Sequence, residues 1–201
     1  PGMAKLTFNK SELHKQREEL KLYKKVLPSL DLKRRQLTAE RNKARRALQK
    51  TTEKLKELHH QTAVKLPMLA LEEIRLSGLI RIDKVEMEEE NIVGVRLPKP
   101  KKIEYVVSEY SMLAKPHWVD EVVERLRKAL EMTIQIRVDE LRVEKLDYAV
   151  RKVTQRVNLF EKILIPKAEE NIKRIQIYLG EAERAAVVRS KITKKMRSKS
   201  K

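Results

Sequence analysis

The stretch Leu22–Arg46, LYKKVLPSLDLKRRQLTAERNKARR, decides how the chain must fold. Leu27, Leu30 and Leu37 follow the three- and four-residue steps of one helix face, and the pattern extends in both directions. One set of positions at seven-residue spacing reads Leu13, Leu20, Leu27, Arg34, Arg41, Leu48, Leu55 and Thr62. Its companion, three residues on, reads Gln16, Tyr23, Leu30, Leu37, Ala44, Thr51 and Leu58. This is the seam of a coiled coil. Pro28 disturbs it, since an interior proline removes one hydrogen bond at a cost of about 3 kcal/mol, and a kink is expected there. Arg34 and Arg41 disturb it differently: their stems can cover apolar neighbours while the guanidinium reaches outwards. Either they fix register by pairing with Glu across the seam, or they touch an acidic or carbonyl-lined partner. Both readings stay open at this level.

Asn9 or Ser11 can cap the start of this helix, with Glu12 three residues after Asn9. Leu66-Pro67 ends it. A second long helix is expected after Lys115-Pro116, with its apolar stripe running from Ala129 through Leu146, Val157 and Ile175 to Ala186. Between Phe160 and Ile172 the stripe advances by four residues three times running, a stutter that unwinds a left-handed supercoil. Pro166 falls inside it, so a bend is expected near Ile165.

Between the helices the period changes. MLALEEIRL suggests a short helical piece, and KVEMEEENIVGVRLP alternates as strands do. Val85 and Met87 share one face before a turn at Glu89, Glu90 and Asn91, and Val93, Val95 and Leu97 share one after it. Ile92 lies between. The reading is a β-hairpin closed by Pro98 and Pro100, with a possible third strand in KIEYVV. A hairpin this small must pack on the helices or on a partner. The expected fold is therefore mainly α: a long antiparallel two-helix coiled coil with a mid-chain hairpin, divided as 1–66, 67–116 and 117–201.

Composition agrees with this architecture. Charged residues make up 38% of the 201, aromatics 4%, and there are four glycines, too few large apolar groups and turn residues for a β-sandwich. With no cysteine, neither a disulfide framework nor a thiolate metal site can form. No run of eighteen apolar residues or signal-peptide pattern is present, so no membrane insertion is expected. Pro1-Gly2 ahead of Met3 is set aside as a remnant of expression. The net charge of +18 is concentrated: residues 10–50 carry +9 and residues 186–201 carry +7. An antiparallel pairing would bring these basic segments to one end.

Catalysis has no seat in the sequence: it contains no phosphate-binding glycine loop, no HExxH and no GxSxG. His59 and His60 are adjacent on a helix and point about 100° apart, which does not converge on one ion. Glu88, Glu89 and Glu90 read as solvated edge charge that discourages strand aggregation. No cofactor or metal is called for.

Three segments, in order, carry a family resemblance. LTFNKSELHKQREELKLYKKVLPSLDLKRRQL, ENIVGVRLP and RVNLFEKILIPKAEENIKRIQIYLGEAERAAVVRSKI are similar to the opening helix, hairpin and closing helix of the D subunit, the central rotor shaft of V-type (vacuolar and archaeal-type) ATP synthases and ATPases. The resemblance spans nearly the whole chain, with Arg156, Asn158, Glu161, Pro166, Glu170, Glu183 and Arg184 where the family pattern has them. Pro28 departs from an uninterrupted first helix. The resemblance implies a non-catalytic shaft passing through a hexamer of A and B subunits, where ATP is bound. It implies a small F subunit on the middle region and a funnel-shaped subunit linking to the membrane rotor ring. It implies a cytoplasmic location, peripheral to the membrane. On that reading the head-contact candidates are Arg34, Arg35, Arg41, Arg189, Lys191, Lys194 and Lys195, and the contact candidates for the small partner are Val85, Met87, Ile92, Val93, Val95 and Leu97. The alternative is a basic coiled-coil nucleic-acid binder, against which Tyr23 is the one aromatic between residues 10 and 50.

Overall fold

The computed structural model describes residues 7–65, 80–107 and 119–199. Its elements are α1 (Lys10–Lys65), β1 (Ile80–Ile92), β2 (Val95–Val107), α2 (Val119–Leu159), a π-helical turn (Phe160–Leu164) and α3 (Ile165–Lys199). The helical piece expected in MLALEEIRL and the boundary at Lys115-Pro116 lie outside the described residues. The chain gathers into two compact units, Pro1–Arg34 with Lys152–Lys201, and Arg35–Arg151.

In the first unit, Asn9 caps α1: its Oδ1 accepts the Glu12 N–H at 2.6 Å, satisfying a donor that has no partner within the helix. The Glu12 side chain does not reach back to complete a capping box but accepts from Gln16 Nε2 at 3.0 Å. Gln16 is itself buried, and its Oε1 accepts from Asn171 Nδ2 of α3 at 3.2 Å. Lys24 Nζ meets Glu169 at 2.7 Å, Lys10 lies 3.8 Å from Glu183, and the Tyr23 and Phe160 rings stand edge to face at 5.5 Å. As residue numbers rise on α1 they fall on its partner, so the helices run antiparallel. Val153, Val157, Ala168 and Ile175 supply the buried apolar layer of the second strand of this pair.

The expected single second helix is interrupted. Ile165 donates its N–H to Phe160 O, a five-residue step in place of four. Pro166 explains this, because it has no N–H to give and its ring crowds the carbonyl four residues back. One extra residue in a turn re-phases the stripe, which is the structural form of the stutter read from Phe160 to Ile172. Across the pair, α1 stays continuous through Pro28.

In the second unit, α1 and α2 again run antiparallel: Arg45 meets Asp147 and Thr62 accepts from Arg125 Nη1 at 3.3 Å. Leu37, Val122, Val138, Leu146 and Val150 are buried here. β1 and β2 form a two-stranded antiparallel ladder from Ile80↔Val107 to Ile92↔Val95, with irregularities that leave Asp83 and Lys101 unpaired.

The hairpin corrects several expectations. Its turn is Val93-Gly94, not Glu89–Asn91, which belong to β1. Both turn residues have positive φ, 53° and 82°, the backbone a tight two-residue turn needs to match the strand twist. Asn91 Oδ1 accepts the Gly94 N–H at 2.9 Å and holds the turn in place. Pro98 and Pro100 lie within β2, and KIEYVV is the end of that same strand. In a two-stranded ladder every strand has an open edge, where a missing proline N–H is tolerated.

Candidate interaction surfaces

The hairpin is anchored to α2 by side chains that the sequence pattern does not single out. Arg142 donates to Pro98 O at 3.0 Å and to Glu90 Oε2 at 3.1 Å, and Lys145 Nζ reaches Arg96 O at 3.4 Å. The Arg127 guanidinium sits 5.1 Å from the centre of the Tyr105 ring. Leu97 is fully buried. The spacing of Arg142 and Lys145 on one helix face, opposite a strand that offers carbonyls, is the available signal. It is hidden among many similar cations.

This anchoring sorts the six hairpin candidates. Leu97 serves the core of the unit and presents nothing outwards. Val85, Ile92, Val93 and Val95 are half-buried, and Met87 is exposed at 47%. Glu90 is engaged by Arg142, and Glu89 lies 3.9 Å from Arg96, so the acidic run is partly paired within the unit.

Three residues before Arg142 on α2, Asp139 is 6% exposed. Gln135 Nε2 donates to its Oδ1 at 2.8 Å. Burial pushes its carboxyl above the usual carboxylate value, against the opposing pull of the Gln135 hydrogen bond and the Arg142 charge.

Within the first unit, Arg34 and the four basic candidates of α3 do not form one patch. Arg34 pairs with Asp31 one turn away. It lies 24 residues from Lys10, about 36 Å along α1 at 1.5 Å per residue, whereas Lys10 is the residue level with Glu183. Within the first unit, it is therefore Lys10 and not Arg34 that lies beside the turn leading into the basic end of α3. Arg35 is exposed. Arg41 lies 3.7 Å from Asp147 and donates to Asn42, so its guanidinium is engaged within its unit, with Asp in place of the expected Glu. Arg189, Lys191, Lys194 and Lys195 differ in kind. Every residue from Glu181 to Ser198 is exposed, and Val187, Val188, Ile192 and Met196 are 50–68% exposed among these cations.

His59 and His60 are both exposed on α1, and no group of three metal-ligating side chains occurs among the described residues. No helix among them is long and apolar enough to cross a membrane.

A family model for the ATP synthase D subunit matches residues 12–195. The chain is 35% identical over 192 residues to a V-type ATP synthase D subunit of Borreliella burgdorferi, covering 96% of this chain and 95% of that one. It is 30% identical over 195 residues to its counterpart in Chlamydia muridarum, with 96% of each chain covered. The chain belongs to the V-type ATP synthase D-subunit family. A counterpart in Chlamydia abortus is 33% identical over 199 residues, covering 96% and 93%. As a member of this family, the D subunit is one component of an ATP synthase complex, and surfaces left open on it are candidates for contact with other components. The basic outer turns of α3 and the half-buried apolar residues near the hairpin turn are two such surfaces.

Proposed function

We propose that this D subunit is the non-catalytic central shaft of a V-type ATP synthase or ATPase. It would couple ATP turnover in an A/B hexamer to rotation of a membrane ion-translocating ring. The observation that carries the reading is the exposed basic end of α3, eighteen residues of helix without burial, on a chain of this family. Such a helix end has flexible, hydrated charges whose individual contacts are weak, and a turning shaft needs contacts that no single subunit holds firmly. Different faces of the shaft would favour different nucleotide states at the three catalytic interfaces, since only differential interaction shifts an equilibrium. The small F subunit would dock near Val93 and Val95, and a funnel-shaped subunit would connect the chain to the ring. The complex would place this chain at the cytoplasmic side, peripheral to the membrane.

The test is reconstitution. Co-expressed with an A/B head and an F subunit, the chain is expected to co-elute with both on size exclusion. Replacing Arg189, Lys191, Lys194 and Lys195 with Gln should weaken head assembly, while Val93→Asp with Val95→Asp should release F and leave helicity unchanged. Tight, sequence-selective DNA binding that persists with equimolar head at physiological salt would overturn the reading in favour of a nucleic-acid binder.

A further inference from the structure

Two backbone irregularities fall at one level of the first unit, on opposite helices. On α1, Pro28 has no N–H, so the Lys24 carbonyl loses its helical donor. On the facing segment, the π-helical turn Phe160–Leu164 precedes Pro166, which likewise gives nothing to the Lys162 carbonyl. The Tyr23–Phe160 ring contact and the Lys24–Glu169 ion pair bring the two sites to the same height.

Packing is thin at this height as well. Gln16 and Leu37 are buried on α1, and no residue between them is. Val157 and Ala168 are buried on the other strand, and no residue between them is. Buried side chains are sparse along α1 as a whole, since none lies between Leu37 and Lys65 either; what sets this level apart is that both helix ladders lose a donor at the same height. We infer that residues 24–29 of α1 together with Phe160–Pro166 form a flexure, a level at which the helix pair bends and opens more readily than it does on either side. This goes beyond the shaft reading and does not depend on it, because the weakness lies in this chain's own backbone.

The absence of cysteine makes the test clean, since introduced thiols are the only ones to label. In the full chain, spin labels at Lys15→Cys and Lys33→Cys straddle Pro28, and labels at Gln155→Cys and Lys173→Cys straddle the π-helical turn. Lys43→Cys with Gln61→Cys spans the same number of α1 residues without a proline and serves as the control. The two straddling pairs should give broader distance distributions than the control, and both should narrow to the control's width in the Pro28→Ala, Pro166→Ala variant. Amide exchange at residues 24–29 and 160–166 should run roughly tenfold faster than at residues 38–44, and slow in that variant. Straddling distributions as narrow as the control would overturn the inference. So would broad distributions that the double substitution leaves unchanged.

Discussion

Asp147 of α2 accepts both hydrogen bonds made by Nη2 of Arg45, at 3.0 and 2.7 Å, and stands 3.7 Å from the Arg41 guanidinium. One carboxylate thus gathers two cations from successive turns of α1. Asp147→Asn leaves both without this counter-charge, and because Arg45 is half exposed the loss should be modest, on the order of 0.5–1 kcal/mol. Urea unfolding at low salt measures it. The difference from the parent should shrink in 1 M salt, where screening acts within about 3 Å.

Val93 holds a φ of 53°, a conformation that a β-branched residue adopts only under strain. Nothing in the structure explains a valine there. Val93→Gly should stabilise the hairpin by about 1 kcal/mol, the cost an L residue meets in the left-handed region. Slower amide exchange along β1 and β2 would register it; faster exchange would mean the valine side chain outweighs the strain.

Asp139 has a folded-state carboxyl raised above 3.8, chiefly by burial. The sign follows from linkage: a raised folded value gives stability that is full below the unfolded value and is lost as pH rises through the folded one. The ionised carboxylate is thus a liability at neutral pH. Asp139→Asn keeps the acceptor for Gln135 and should raise the unfolding midpoint at pH 7, with the advantage disappearing as pH falls below about 4. Midpoints measured from pH 3 to 8 check both limbs.

The Tyr105 hydroxyl is buried and makes no hydrogen bond of good geometry among the described residues, although the Glu131 carboxylate lies near enough to interact with it. Burial first, then Glu131, raises the phenol above 10.0. Stability tied to the neutral phenol is complete below that pH and is lost as the pH climbs through the raised value. Tyr105→Phe should flatten this alkaline decline and, by removing a buried polar atom that lacks a well-formed hydrogen bond, gain up to about 1 kcal/mol at pH 7. Thermal melts at pH 7 and above 10 distinguish the two effects.

The seam of α1 is legible in the sequence because packing repeats: Leu37 is buried, and Leu13, Leu20 and Leu27 face the pair where the seven-residue spacing puts them. The stutter is legible too, although its resolution into a π-helical turn depends on where Pro166 withholds a donor. The hairpin turn misleads because three consecutive polar residues, Glu89–Asn91, resemble a turn, whereas the chain turns at a valine that propensity disfavours. Asn91 acts from within the strand. Arg41 shows the limit for sites, since a seam arginine says that a charge needs a partner and not that Asp147, over a hundred residues away, will be it.

The first unit is assembled from the two ends of the chain, with residues 35–151 lying between them in sequence. During synthesis, Gln16, Leu20 and Tyr23 leave the ribosome long before Asn171 and Phe160 exist to cover them. The 117 intervening residues take roughly 6–23 s at 5–20 residues per second. The intervening unit can fold during that wait, while the apolar stripe of the first turns remains open to chaperones or to a neighbouring nascent chain. Synthesis of the segment from Lys152 through Ile175, more than any local helix propensity, sets when the first unit can close.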